Sequence, residues 1–337
     1  MYPNKLYQDG LVKCVLDDNV GKLKPLVFNL DFTKSVALMN PSFYNDNGKL
    51  LVNIRSTNYV LHHSEKGLLP HWAGPLQYVH PEDDIRLGTE NYLAELNDEL
   101  DITVVHYVKM KNISKPVWGF TGLEDARVVR WNNKLYLTGV RRDVKDNGEG
   151  RMELSEIDIT FDDAVELSRT RIPTTGDNTA YCEKNWMPII GENIDDYTYV
   201  KWSNPTEIVH WDPINNKLEV VKSSTDYIDL GIDIRGGSHV VNVGDYYIAF
   251  GHSVRLWKPY AGEKDSNYDA HIIVWDKNFN LVKITPGFKF CNCMIEFCCG
   301  LGFDNNGYLV VSFSEMDNEC YLLSINPDWF ISNLINN

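Results

Sequence analysis

Gly122-Leu123-Glu124-Asp125-Ala126-Arg127-Val128 sets two carboxylates and a guanidinium just ahead of an apolar run, and the fold is read outward from it. The chain continues Val128-Val129-Arg130-Trp131-Asn132-Asn133-Lys134-Leu135-Tyr136-Leu137. This is strand, Asn-rich turn and strand, so the charges sit at the mouth of a β-hairpin. The arrangement recurs. Asn40-Pro41-Ser42-Phe43 leads through Asp46-Asn47-Gly48-Lys49 to Leu50-Leu51-Val52, and Arg235-Gly236-Gly237-Ser238 leads through Val243-Gly244-Asp245 to Tyr246-Tyr247-Ile248. Glu183-Lys184-Asn185-Trp186 runs to Tyr197-Thr198-Tyr199-Val200, and Glu296-Phe297-Cys298-Cys299 runs through Asp304-Asn305-Asn306-Gly307 to Tyr308-Leu309-Val310.

The copies start at 40, 124, 183, 235 and 296, in steps of 84, 59, 52 and 61 residues, each long enough for one four-stranded antiparallel unit with its loops. Repetition at this length marks a β-propeller, so the fold expected is all-β, a five-bladed β-propeller. A β-sandwich or a pair of small β domains with similar hairpins is the alternative. The charges favour the propeller, because it would gather equivalent points of each unit around one axis.

Residues 1–337 are read as a single domain, with no linker, in which residues 1–36 form a lead-in that closes the ring. Short strands are expected at Leu11–Val15 and at 25–28, with Cys320–Ile325 as a natural partner. Glu90–Glu99 is read as a short helix within the longest step. His62 and His63 fall in a long loop there, which could cover the channel mouth.

Composition excludes several classes. Hydrophobic residues at 43% and charged residues at 23% are globular values, which sets aside disorder and coiled coil. The net charge of −15 and the lack of any Lys or Arg run argue against a nucleic-acid partner. No apolar run approaches the roughly 18 residues of a membrane span. The seven cysteines lack a CxxC knuckle, and Cys291, Cys293, Cys298 and Cys299 read as strand thiols in a reducing, cytoplasm-like compartment, with no metal site expected. There is no Gly-x-Ser-x-Gly elbow, P-loop or Rossmann fingerprint.

A ring of carboxylates interleaved with Arg, Lys and His suits a sugar together with an anion. Carboxylates bind hydroxyls and donate protons, while cations hold phosphate. The same charges could instead pair with one another as buried salt bridges.

At these positions the chain resembles glycoside hydrolase family 130, whose members are five-bladed propellers acting on β-mannosides, mainly as phosphorylases, with some hydrolases and related β-mannosyltransferases. Glu124-Asp125-Ala126-Arg127 is similar to the family's Glu-Asp-Pro-Arg signature, with Ala126 in place of the proline. Asn40-Pro41 with Arg55 resembles its first-blade sugar-binding element, and Glu183-Lys184-Asn185 its Lys-Asn segment. Arg235-Gly236-Gly237 followed by His252 resembles its Gly-rich strand and Tyr-His ending, although Phe250-Gly251 precedes His252 here. Tyr268 falls where a later family tyrosine would. These short motifs span residues 38 to 320.

The resemblance implies that Asp125 is the general acid, protonating the glycosidic oxygen through a sugar hydroxyl. It implies that Lys184 and His252 bind phosphate, with Arg141 and Arg142 as nearby candidates. Glu183 and Glu296 are candidate bases if water is the nucleophile. Asn40, Arg55, Glu124, Arg127, Asn185, Arg235 and Tyr268 are expected on the sugar. The implied enzyme is an inverting β-mannoside phosphorylase, hydrolase or transferase that needs no cofactor. It would use an oligosaccharide with inorganic phosphate or a sugar 1-phosphate as co-substrate. A glycan-binding propeller without catalysis is the alternative class. Strand alternation predicts that Asp125 and Arg127 share a face and Glu124 points away. Arg127 would then lower the acid's pKa, so that burial, Glu183 or Glu296 must oppose it.

Overall fold

The structure is a computed structural model and describes residues 2–29, 35–60, 71–73, 76–78, 86–111, 115–161, 163–175, 181–191, 194–257 and 265–336. His62 and His63 lie outside the described residues. The chain is all-β apart from short helices at Tyr2–Asp9, Leu11–Asp17, Pro327–Phe330 and Ile331–Ile335.

The main strands fall into antiparallel runs of four, each in sequence order. Ala37–Asp46, Lys49–Thr57, Leu87–Leu96 and Ile102–Lys109 form one run, and Leu123–Trp131, Lys134–Arg141, Arg151–Ile159 and Ala164–Arg171 form the next. Met187–Ile190, Thr198–Ser203, Thr206–Asp212 and Lys217–Ser223 follow, and then Val240–Val243, Tyr246–Trp257, Asp265–Trp275 and Leu281–Ile284. Short parallel pairings, Ala164 with Val108 and Ile189 with Val240, join neighbouring runs into longer curled sheets. The last run, Glu296–Phe303, Leu309–Glu315 and Glu319–Ile325, takes its fourth strand from the start of the chain. There Gly21–Pro25 pairs with Glu319–Ile325, Gly21 opposite Ile325 and Pro25 opposite Tyr321.

The apolar residues that alternate along these strands bury their faces between one run and the next. Leu51 and Leu93 pack with Leu123, Val128 and Leu137, while Trp131 and Met152 pack with Tyr199, Val209 and Trp211. Met187 and Val200 meet Val240, Ala249 and Ile273, and Phe250 and Ile272 meet Leu301 and Phe313. The circuit returns on itself where Val310 and Leu322 pack on Phe43, Leu50 and Ile54. Side-chain hydrogen bonds tie the first strands of the runs together: Ser42 Oγ accepts from Val128 N at 3.1 Å, and His239 Nε2 donates to Val128 O at 2.8 Å.

Three segments differ from their sequence expectation. Leu11–Val15 is helical, since Leu11, Val12, Cys14 and Val15 bury one face of the Leu11–Asp17 helix. Its first residues dock on the loop that leads into the last run, Leu11 N donating to Lys289 O at 2.9 Å and Val12 N to Phe290 O at 3.0 Å. The expected short helix at Glu90–Glu99 is mostly the strand Leu87–Leu96. Its inward side chains are polar at Thr89 and Asn91, where Asn91 Nδ2 donates to Leu123 O at 3.0 Å, and this hides the two-residue period. The closing strand is also displaced, to Gly21–Pro25 from the 25–28 expected. All seven cysteines are free thiols; Cys298 and Cys299 are buried in a strand as read, whereas Cys291 and Cys293 are half-buried in the loop before it. Among the described residues no helix is long and apolar enough to cross a membrane.

Candidate active site

One backbone device recurs where the runs begin. Asn40, Asp125 and Asn185 all adopt left-handed φ, at 50°, 51° and 62°. Short polar side chains tolerate this region best. At Asn40 and Asp125 it accompanies a bulge in pairing with the next strand, between Met39 and Ser42 and between Glu124 and Arg127. The bulge overturns the alternation expected of Glu124-Asp125-Ala126-Arg127. Glu124 and Asp125 both line the pocket, and Arg127 turns beneath its floor. Gly139 makes room for the turn, since a Cβ there would stand 2.5 Å from Glu124 O.

The pocket encloses about 440 Å³ and gathers Asn40, Arg55, Glu124 and Asp125 with Lys184, Asn185, Arg235, His252 and Tyr268, all expected from sequence, and with Arg142 of the phosphate candidates. Asp125 Oδ1 accepts from Arg55 Nη1 at 2.7 Å and from Asn40 Nδ2 at 2.6 Å. Burial pushes this carboxyl up, but Arg55, Lys184, Arg127 and the Asn40 hydrogen bond together hold it well below the usual carboxylate range. Arg55 is itself fixed on three further sides. Nε donates to Thr89 Oγ1 at 3.2 Å, Nη2 donates to Tyr59 OH at 2.7 Å, and Glu124 lies 3.7 Å away.

Arg127 is fully buried. Nε and Nη2 donate to Gly237 O at 2.9 and 2.6 Å, and Nη1 donates to Asp125 O at 2.5 Å. It is therefore not a sugar contact but a brace that joins the Asp125 bulge to the Arg235-Gly236-Gly237 segment. Those glycines permit the approach: a Cβ on Gly236 would lie 1.9 Å from Asn185 O, and one on Gly237 would lie 2.3 Å from Phe250 O.

His252 pairs its backbone with Arg235 and donates from Nδ1 to Gly236 O at 2.8 Å, which, among the described residues, leaves Nε2 as the free nitrogen. Its ring stacks on Tyr268 at 5.6 Å with the planes 7° apart, and meets Phe297 edge-on at 4.8 Å. Burial, aided by the nearby cations Arg235, Lys184 and Arg127, lowers its pKa to about 3, so the imidazole is neutral at physiological pH. Lys184 and Arg235 are exposed to the pocket and, among the described residues, neither has a carboxylate within ion-pair distance. Arg142 sits between the rings of Phe120 and Tyr181, at 5.6 and 5.4 Å, and donates to Tyr181 OH at 2.9 Å.

Three further expected site residues lie outside the pocket. Glu183 pairs with Lys201 at 3.2 Å outside the pocket, because in the extended chain its neighbour Lys184 takes the inward position. Glu296 loses its place to Phe297 in the same way. Its carboxylate accepts from the backbone N–H groups of Phe290, Cys291 and Cys293 and fastens that loop. Arg141 is buried between Asp143, at 3.3 Å, and Glu153, at 3.1 Å, and lines a separate cavity. Sequence reasoning missed Tyr59, Phe120, Phe297 and Asp317 on the pocket wall. Asp317 stands in a left-handed turn, with φ 51°, just after a strand, where an Asp normally signals only the turn. Phe297 lay inside a quoted motif but was given no role there.

No family model matches the chain, and none of the curated proteins compared matches it in sequence. Solved structures do match in fold. A β-1,2-mannobiose phosphorylase from Listeria innocua, in complex with β-1,2-mannobiose, superposes with a TM-score of 0.53 at 12% identity over 94% of this chain and 100% of its own. A glycosyl hydrolase from Bacteroides ovatus gives 0.58 at 12% identity over 93% and 96%. A third structure gives 0.57 at 12% identity over 92% and 95%. It was reported with the finding that the GH130 mannoside phosphorylases contain glycoside hydrolases that target β-1,2 mannosidic linkages in Candida mannan. At this identity the likeness is one of fold, and the chain shares its fold, nearly end to end, with these glycoside-cleaving proteins.

Proposed function

We propose that the protein is an enzyme built as a five-bladed β-propeller, each four-strand run being one blade, that cleaves or forms β-mannosidic bonds by inverting phosphorolysis. The observation that carries this reading is the meeting, in one pocket, of the Asp125 carboxyl group with two exposed cations, Lys184 and Arg235, that among the described residues have no carboxylate within ion-pair distance. A binding module for neutral sugars has no use for such cations. An enzyme that brings an anion to the anomeric carbon does.

Phosphate seated on Lys184 and Arg235 would attack C1 from the face opposite the leaving oxygen, while Asp125 supplies the proton that oxygen needs, directly or through a sugar hydroxyl. Neutral His252 contributes Nε2 as an acceptor for a phosphate or sugar hydroxyl. Glu124 and Asp317 are the other carboxylates on the pocket wall and are placed to bind hydroxyls. They replace Glu183 and Glu296 as candidate bases should water or a transferred sugar be the true partner. Stacked Tyr268 and His252, with Phe297, give the sugar an aromatic wall.

The test is incubation with mannose 1-phosphate and a panel of acceptor sugars, reading released phosphate. Release is expected, and Asp125→Asn should lower kcat by about 10²–10⁴-fold, the range of acid–base catalysis. Hydrolysis of β-mannosides without any effect of phosphate would shift the reading to a hydrolase. Turnover of Asp125→Asn within a few-fold of wild type would remove Asp125 as the acid.

A further inference from the structure

The acid role asks Asp125 for a proton, yet the free pocket is arranged to keep it charged. Both donors on Oδ1, Arg55 Nη1 and Asn40 Nδ2, serve the ionised carboxylate. The charged and titratable groups facing it come from several elements. Arg127 and Glu124 share its strand, and Arg55, Tyr59, Lys184, Tyr268 and Asp317 come from others. Cys299 Sγ reaches its carbonyl oxygen. The cations outweigh the acids nearby.

Those cations are of two kinds. Arg55 and Arg127 are committed, the first to Thr89, Tyr59 and Asp125 and the second to the Gly237 and Asp125 carbonyls. Lys184 and Arg235 are open to the pocket. An anion attracted into the pocket settles on the open pair. Its charge then cancels the untethered part of the positive field and adds a like charge beside Asp125, and both effects favour the protonated carboxyl.

We propose that the pocket takes up its anion and a proton together, the proton going to Asp125, so that the acid is loaded only when the nucleophile is seated. This rests on the anion-using glycosidic site proposed above. Solvent supplies the proton on binding, and as the C1–O bond breaks it passes to the leaving oxygen while a phosphate oxygen bonds to C1. Asp125 is left ionised, and the new ester's remaining P–O–H proton returns to solvent.

His252 is the competing proton acceptor, through Nε2, and the experiment separates the two. Sulfate is titrated calorimetrically into the full chain near neutral pH, in two buffers of different ionisation enthalpy. Sulfate carries no proton there, so any uptake belongs to the protein. Uptake approaching one proton per sulfate is expected, with affinity falling toward tenfold for each unit that pH is raised. Asp125→Asn should bind sulfate with no uptake, and His252→Gln should retain uptake. An infrared difference spectrum of the wild type, with and without sulfate, should gain a protonated-carboxyl band, which needs no variant to fold. Uptake that persists in Asp125→Asn, or wild-type binding with neither uptake nor the band, overturns this inference and leaves the anion site standing. Failure of the wild type to bind sulfate or phosphate overturns the site itself.

Discussion

Asn40, Asp125 and Asn185 owe their use to a conformation that costs most residues about 1–2 kcal/mol. The backbone at Asp125 is held there from below by Arg127, which is buried and donates to the Gly237 and Asp125 carbonyl oxygens. Arg127→Met, similar in length but without donors, leaves the Gly237 carbonyl without its guanidinium donors and the Asp125 carbonyl with only the weak Cys299 thiol, at about 1–3 kcal/mol each. We expect it to reduce unfolding free energy by about 2–5 kcal/mol, measured as a lower urea midpoint. An unchanged midpoint would mean that the bulge is held by its strand pairing alone. The sequence made Asp125, Arg55 and Lys184 legible, because unusual charges stood beside apolar strands. It did not reveal the bulge that sends Glu124 inward with Asp125, since an Asp in a strand pattern carries no mark of its φ.

At the scale of one element, the loop from Phe290 to Cys293 converges three N–H groups on Glu296 and then lends Met294 O to Tyr268 N at 2.9 Å, so it stands directly behind the pocket wall. Glu296→Gln offers a single acceptor oxygen and sets its NH₂ against a backbone N–H. The expected cost is about 1–3 kcal/mol of stability. Once folded, the variant should keep kcat within about tenfold, well short of the loss expected for a catalytic carboxyl. Steady-state kinetics beside thermal unfolding checks both, and a loss of three orders in kcat with intact stability would return Glu296 to the chemistry. The hairpins themselves were readable because Asn47-Gly48 and Asn132-Asn133 are turn residues with positive φ, as the structure has them. The strand at Leu87–Leu96 was not, because Thr89 and Asn91 spend their inward positions on hydrogen bonds, Thr89 with Arg55 of its own run and Asn91 with Leu123 O of the next.

For the molecule as a whole, the buried histidines set the response to acid. His239 is lowered to about 4 and His252 to about 3, by burial first in each case. Each stays neutral in the folded protein while its unfolded counterpart takes a proton as pH falls below about 6.5. The unfolded state therefore binds more protons between pH 6.5 and about 4, and each histidine removes about 1.4 kcal/mol per pH unit across that window. The depressed carboxyl of Asp125 gives up its own contribution only below the unfolded value near 3.8. We expect the urea midpoint to fall steeply from pH 6.5 to 4, and His239→Asn to flatten that slope by about one proton's worth. A slope unchanged in this variant would mean that His239 titrates normally. The overall circuit was legible in the recurring hairpins, and its closure only loosely so, the partner strand lying a few residues earlier than expected. That closure governs how the protein is made. Lys22 meets Ser324 across 302 residues of chain, so at about 5–20 residues per second the first strand leaves the ribosome roughly 15–60 s before its partner exists. Until then the nascent polypeptide carries an unpaired edge, and the cell must shield it or risk its pairing with a stranger.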